Sequence, residues 1–349
     1  MIGVDLFAGA GGLSVGATLA GIEVRLAVEV DPRAAETYGR NHRSADVLVS
    51  DVRHLEPSRF AFPARRNMIL FGGPPCQGFS TSNQRTRNGG NHANWLFREF
   101  LRIASAWMPN AVVVENVRGI LETEAGLFAR LINDGLTELG YVVSVHTLNA
   151  ADFGVPQVRS RVFMIGTRRR IQLRIRPQSR RRLTVGDAID DLPELKNGST
   201  HDSLPYRRAA KTTYARRLRG GRRECGNHLV TRNADAILHR YSYISPGENW
   251  QSIPPSLRGF DVSGRGPHTG LYYRLKLDEP ARVIGNFRKN MLIHPTSDRG
   301  LSIREAARLQ SFPDAYEFTG SIGFQQQQVG NAVPPLLAAA VFEALLGAM

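Results

Sequence analysis

A chain of 349 residues is long enough to bury a substantial core and predicts one large domain with one or two smaller ones, and its two cysteines, Cys76 and Cys225, form neither a disulfide scaffold nor a Cys/His cluster at metal-ligand spacing. No apolar run reaches the roughly 20 residues that span a bilayer and Met1 leads straight into a strand-like run, so the reading is a soluble, untargeted cytoplasmic protein with no metal and no membrane contact. The formal charge of +14 points to a polyanionic partner.

Up to about residue 167, short β-branched apolar runs alternate with amphipathic stretches, the pattern of a doubly wound, mostly parallel α/β sheet. Strands are predicted over 2–7, 24–30, 68–72, 111–115, 141–148 and 162–166, with a short one at 46–49; helices are predicted over 12–20, 32–42, 95–107 and 124–139. The first strand enters Phe7-Ala8-Gly9-Ala10-Gly11-Gly12-Leu13-Ser14, a glycine-rich turn opening a helix. Glu29 and Asp31 follow at the end of the next strand, where a carboxylate about 20 residues on suits ribose hydroxyls. Ser14 stands where the dinucleotide fingerprint has its third glycine, so a plain tight turn also fits. Asp31 caps the next helix, with Pro32 at its first position. Asp51, followed by Val52, ends another short strand, where it either reaches the adenine of the same ligand or sits in a surface turn.

The apolar run 68–71 continues as Gly72-Gly73-Pro74-Pro75-Cys76-Gln77-Gly78-Phe79-Ser80. Two adjacent prolines fix two φ angles and remove two amide donors, so this segment ends a strand and presents Cys76 at a rigid tip. Taken alone, it also fits a turn around a small buried cysteine. Glu115 closes the apolar run 111–114, at the sheet edge from which Cys76 projects, so a Cys–Glu pair is expected there. In Gln157-Val158-Arg159-Ser160-Arg161, strand alternation places Gln157, Arg159 and Arg161 on one face, toward a polar or anionic partner or toward solvent.

From 168 to about 295 the periodicity fades into Arg, Gly, Pro and Ser, an irregular second domain with strands and loops. Residues 1–150 are neutral, with 14 Arg against 14 acidic residues, whereas 168–240 alone carry 19 basic and 7 acidic side chains. That density is the footprint of nucleic-acid binding, although an arginine-rich solvated face has the same composition. Residues 302–311 read as a helix opened by a capping box, Ser302 with Glu305. The apolar segment 333–347 begins at a double proline and is expected to pack back on the first domain.

The order of these motifs resembles the DNA (cytosine-5) methyltransferase family of the bacterial restriction-modification type. DLFAGAGGLSVG at 5–16, GGPPCQGFS at 72–80, ENV at 115–117, QVRSR at 157–161, REAARLQSFPD at 304–314 and QVGNAVPP at 328–335 are similar to that family's blocks in their usual order. The resemblance implies a Rossmann-like domain dependent on S-adenosyl-L-methionine over 1–167, a smaller basic target-recognition domain over 168–295, and a return segment, 296–349, that completes the first. It implies transfer of a methyl group to carbon 5 of a flipped-out cytosine in double-stranded DNA. Cys76 would attack carbon 6, Glu115 engage ring nitrogen 3 and the exocyclic amine, Arg161 hold oxygen 2, and Arg159 brace the loop, with Gln157 and Ser80 on the substrate side. For the cofactor the pattern carries over to Phe7, Gly9, Gly11, Glu29, Asp51, Val52, Pro75, Leu96, Asn331 and Val333. A monomer, acting separately from any cognate restriction endonuclease, is expected.

Two departures stand out. Asn91-His92-Ala93-Asn94-Trp95-Leu96 lacks the family's Asp and Arg before the helix at 95, and Pro280-Ala281-Arg282-Val283-Ile284 lacks its threonine. Cys225 matches no block and reads as structural. A tRNA-methylating relative, a silent DNA-binding paralogue and a nicotinamide dehydrogenase are the alternatives; the last has no role for the Pro-Pro-Cys turn.

Overall fold

The computed structural model describes residues 1–60, 62, 67–75, 95–177, 181–260, 267–285, 287–289 and 291–349. Its contacts divide the chain into two units: Met1–Phe153 with Ser160–Gln178 and Pro335–Met349, and Gly154–Arg159 with Ser179–Pro334.

The first unit is built in chain order from β1 (Ile2–Leu6), α1 (Gly12–Leu19), β2 (Glu23–Glu29), α2 (Pro32–Asn41), β3 (Asp46–Val49), β4 (Met68–Gly72), α3 (Phe97–Trp107), β5 (Ala111–Val117), α4 (Leu127–Glu138), β6 (Val142–Asn149) and β7 (Ser160–Thr167). They form one seven-stranded sheet, ordered β3-β2-β1-β4-β5-β7-β6. The first five strands are parallel; β7 enters antiparallel between β5 and β6. Strands β4 and β5 are near-continuous apolar runs because both faces are covered: Met68 to Phe71 and Ala111 to Val114 are all buried. Asp31 caps α2 by accepting the amide of Arg33, with Pro32 at its first position, as the sequence predicts.

Among its described residues the second unit holds five short α-helices, α5 (Val185–Ile189), α6 (Thr213–Arg219), α7 (Asp235–Tyr241), α8 (Ile303–Leu309) and α9 (Ile322–Asn331), and a two-residue antiparallel pair, Leu204–Pro205 with Glu224–Cys225. One core is aromatic and aliphatic, around Tyr241, Ile244, Trp250, Ile253, Tyr272 and Ile293. Another is ionic. Arg308, fully buried, bonds both carboxylates of Asp191 and Asp314, and Arg299 grips Glu305 with two bonds of 2.7 and 2.9 Å. The predicted capping box is present, with Ser302 Oγ accepting from the Glu305 amide and Glu305 accepting from that of Ser302. Because Arg299, Arg304 and Arg308 are tied to partners between 191 and 227, residues 296–334 fold with this unit. The expected return segment therefore shortens to Pro335–Met349.

That returning piece is α10 (Pro335–Ala348), which packs on α1. The contact is close: a Cβ built on Gly16 would lie 2.4 Å from that of Ala338 and 2.7 Å from the Ala339 nitrogen. Among the described residues, Ile322–Ala348 is the one helical stretch apolar and long enough to span a membrane, and 78% of its apolar window is buried within the protein. Pro335 to Phe342 are all interior, so the apolarity of α10 is that of a core helix.

Candidate functional site

The parallel strands β1, β2, β4 and β5 all end at one edge of the sheet, and the strand order reverses between β1 and β4. Such a switch point opens a crevice at the carboxyl ends of the strands, where ligands of doubly wound folds bind. The glycine turn follows β1, Gly73-Pro74-Pro75 follows β4, and Glu115 lies near the end of β5.

The glycine turn is strained and held on several sides. Phe7, Gly9 and Gly11 have φ of 59°, 54° and 84°, left-handed values that suit glycine but strain Phe7. Glu29 accepts the Gly9 amide at 2.7 Å through one carboxylate oxygen and the Asp31 amide at 2.8 Å through the other. A Cβ on Gly9 would meet nothing within 4 Å, so the turn faces open space. Asp31 and Asp51 are both held below the usual carboxylate range by hydrogen bonds from Arg33 and Arg53, Asp51 down to about 2, so both are ionised. Asp51 is already paired with Arg53 at 2.6 Å, and Val52 beside it is buried.

Glu115 and Arg161 are the paired charges of this edge. Arg161 is opposite Val117 in the β5–β7 ladder, which makes Glu115 its diagonal neighbour on the same face. Its Nε lies 2.8 Å from Glu115 Oε1, with both side chains about one-tenth exposed. Arg161 also donates to its neighbour's carbonyl, that of Ser160. Glu115 is confined from the other side by Gly73, where an added Cβ would stand 2.8 Å from Glu115 Oε2. Asn116, which the sequence reading left without a role, links the two segments: its Nδ2 donates to the Pro74 carbonyl at 3.3 Å while its Oδ1 accepts the Val117 amide. Its only signal in the sequence was its place between Glu115 and Val117.

Cys76 and Ser80 lie outside the described residues, as do Asn91 to Asn94. Pro75 is partly buried, and Leu96 precedes α3 against the main core. Asn331, exposed at the end of α9, and buried Val333 belong to the second unit.

The expected common face of Gln157, Arg159 and Arg161 is corrected by the structure. Alternation fails because the strand begins only at Ser160: Gln157 and Arg159 belong to the second unit, Arg161 to the first. Gln157, expected on the substrate side, is fully buried; it donates to the Leu309 carbonyl and Gln310 Oε1 and accepts the Ile284 amide at 2.8 Å. These bonds take both amide hydrogens and one lone pair of its oxygen. Arg159, buried as well, donates to the carbonyls of Ile284, Gly330 and Ala332. These three bonds all stay within the second unit.

The basic character of the second unit divides the same way. Arg159, Arg274, Arg299, Arg304 and Arg308 are buried and bond protein groups. Arg217, Arg222, Arg223 and Arg232 are exposed, as are Arg182 and Arg207, the last paired with Glu194 at 2.7 Å. Cys225 is fully buried, and desolvation pushes its thiol up to about 12, which makes it an inert core residue.

A seven-stranded sheet of this order with one antiparallel insertion, and an acidic and glycine-rich carboxyl edge, match the Rossmann-like fold of S-adenosylmethionine-dependent methyltransferases. Within that class the model of the C-5 cytosine-specific DNA methylases matches residues 1–347, and the chain belongs to that family. It is 37% identical over 348 residues to the type II methyltransferase M1.HphI of Haemophilus parahaemolyticus, covering 98% of this chain and 86% of that one. It is 34% identical to the type II methyltransferase M.DdeI of Desulfomicrobium norvegicum, covering 97% and 87%. Among solved structures, a prophage-encoded Escherichia coli protein described as a DNA modification methyltransferase superposes with a TM-score of 0.82 at 26% identity, over 100% of this chain and 99% of that one. The chain is a DNA (cytosine-5) methyltransferase.

Proposed function

We propose that this enzyme methylates one cytosine within a short recognition sequence of duplex DNA, as the modification half of a restriction-modification pair, with Cys76 as nucleophile and Glu115 and Arg161 as the groups that hold the base. The single observation that carries this reading is the buried Glu115–Arg161 pair set against the turn Gly73-Pro74-Pro75, the segment that leads directly to Cys76.

The residues of the first unit suit the cofactor. Glu29 and the ionised Asp31 and Asp51 offer acceptors to hydroxyl and amine donors, beside a glycine turn whose outer side is open. Phe7, Gly9, Gly11, Val52, Pro75 and Leu96 are the further residues assigned to hold S-adenosylmethionine. When bound, it supplies an electrophilic methyl group. The chain's own residues do the rest. A thiol of ordinary pKa, about 8.5, is mostly protonated at neutral pH, so Cys76 attacks only once its site favours the thiolate. The thiolate forms a sulfur–carbon bond at carbon 6 of the cytosine. Glu115, giving a proton to ring nitrogen 3 while accepting from the exocyclic amine, and Arg161, donating to oxygen 2, take up the electron density that this addition delivers, leaving carbon 5 enamine-like. After methylation, loss of the carbon-5 proton and departure of the Cys76 thiolate restore the aromatic ring.

Carbon 6 is out of reach inside a duplex, so the base must leave the stack at a cost of a few kcal/mol. The exposed arginines of the second unit supply salt-dependent phosphate contacts that offset it. The relatives named as type II methyltransferases support the restriction-modification role, with a nuclease acting separately, and a monomer working on cytoplasmic DNA fits that role. The test is methylation of mixed unmethylated genomic DNA with labelled S-adenosylmethionine, followed by bisulfite sequencing. Protection of one cytosine within a recurrent short sequence is the expected result; labelling of tRNA only, or of nothing, overturns the reading.

A further inference from the structure

Beneath the glycine turn runs a chain of buried hydroxyl and carboxyl groups that the reaction itself does not use. Tyr38 Oη donates to Ser14 Oγ at 2.6 Å, and Ser14 Oγ donates to Asp5 Oδ2 at 2.6 Å. All three residues are fully buried, and they come from three elements: α2, α1 and β1. Among the described residues the other carboxyl oxygen of Asp5, Oδ1, has no hydrogen-bond partner. A buried carboxylate normally requires a cation or several donors. Asp5 has neither.

The groups around it can be named element by element. In register beside it stand Ala27 of β2 and Phe71 of β4, both apolar, and Phe71 packs on Phe342 of α10. From α1 comes Ser14. From α2 come the Tyr38 phenol and, tilted against it at 4.4 Å between ring centroids, His42, whose ring bonds the Gly11 backbone and which burial keeps neutral, its pKa pushed down to about 4. Among the described residues the charge that acts on Asp5 is that of Glu29, of its own sign. Burial, against the opposing hydrogen bond from Ser14 and with the charge of Glu29, pushes the Asp5 carboxyl up to about 8.

The strained backbone of Phe7 to Gly11 needs its surroundings to hold it. Gly9 is tied by Glu29 and Gly11 by His42, while the Asp5–Ser14–Tyr38 chain joins the strand before the turn to the helix after it and to α2. We propose that Asp5 is a positioning residue that works as a neutral carboxylic acid, locking the cofactor turn, and that loss of its proton releases the turn and weakens cofactor binding. The charged form needs water, and water reaches Asp5 only if the turn opens. This inference rests on the cofactor assignment made above.

The test is calorimetric titration with S-adenosylhomocysteine, which lacks the sulfonium charge, from pH 6.5 to 9.5. Binding near neutral pH is required by the cofactor assignment; its absence overturns that assignment and this inference together. With binding present, the wild-type affinity is expected to be flat at neutral pH and to fall about tenfold per pH unit above about 8. Asp5→Asn, which mimics the neutral acid, is expected to bind with near wild-type affinity at pH 7 and to show no alkaline fall. Ser14→Ala removes the bond that favours the carboxylate and should move the fall to higher pH, which keeps the test open if Asp5→Asn does not fold. Without any cofactor, Asp5→Asn should melt at or above the wild-type temperature at pH 9 and lose that advantage toward pH 5. A flat wild-type profile, an unchanged fall in Asp5→Asn, or weakening of Asp5→Asn equally at all pH values overturns the proposal.

Discussion

Gly73→Ala isolates the geometry of the Glu115–Arg161 pair, proposed above to hold the base, from the stability of the sheet that carries it. The added Cβ would stand 2.8 Å from Glu115 Oε2, and an ordinary contact requires the carboxylate to retreat by about 0.6 Å. Glu115 is the end of a side chain, so it gives way; but it is only 2.8 Å from Arg161, and retreat spoils the placement of both groups. A misplacement of 1 Å at a reacting centre costs on the order of 100-fold in rate. The expected loss in the rate of methylation is therefore about 10- to 100-fold, or about 1.4 to 2.7 kcal/mol of barrier. The neighbouring Gly72→Ala is the control: its Cβ would lie 2.0 Å from the Leu6 carbonyl oxygen, a backbone atom of the paired strand that has nowhere to move. Single-turnover transfer of labelled methyl groups to unmethylated genomic DNA, alongside thermal melting, separates the two. Gly73→Ala should melt near wild type and react slowly, whereas Gly72→Ala should be strongly destabilised. Full activity in Gly73→Ala, or equal losses of stability in both variants, refutes the placement of Glu115 against this turn.

Gly16→Ala gains up to about 1 kcal/mol of helix propensity, yet its methyl group meets the α10 backbone, so a net destabilisation of about 1–3 kcal/mol is expected in urea titration. Gln157→Leu leaves the Ile284 amide and the Leu309 carbonyl without partners and should cost stability by about 1–3 kcal/mol per orphaned group; a change confined to the KM for DNA, with unchanged melting, would instead return Gln157 to the substrate. Cys76→Ser should retain binding of DNA and S-adenosylhomocysteine and lose methyl transfer, and substantial residual turnover contradicts the covalent route. Burial pushes the Glu305 carboxyl up, but Arg299 and His294 outweigh it and hold it well below its usual range. Its contribution to stability is thus present above about pH 4.5 and lost as the pH falls further. Arg299→Met should therefore cost about 3–5 kcal/mol at pH 7, in chemical denaturation, and progressively less below pH 4.

What the sequence made legible follows from which forces act locally. Strand and helix positions are readable where β4 and β5, buried on both faces, spell continuous apolar runs, and where Asp31-Pro32 in the first unit and Ser302 with Glu305 in the second announce helix starts through bonds made within four residues. The glycine turn and its acidic partner were readable for the same reason: the demands of a left-handed backbone select glycine at Gly9 and Gly11. Phe7, left-handed without being glycine, shows the limit, since only its packed surroundings hold it there.

Long-range partnership was not legible, and arginine is where this shows most. Counting charges treats Arg308 and Arg217 alike, but the first is buried between two aspartates and the second lies on the surface. The partners of Arg308 are 6 and 117 residues away in the chain, and those of Arg159 are 125 to 173 away, so no local pattern distinguishes a structural guanidinium from one that meets phosphate. Gln157 erred in the same direction: alternation is a rule for strands, and the strand starts three residues later. A guanidinium buried among its acceptors cannot itself contact a phosphate. The polyanion surface of the second unit must therefore be counted from its exposed arginines, and it is the salt dependence of DNA binding in variants at Arg217, Arg222, Arg223 and Arg232, not total charge, that measures it.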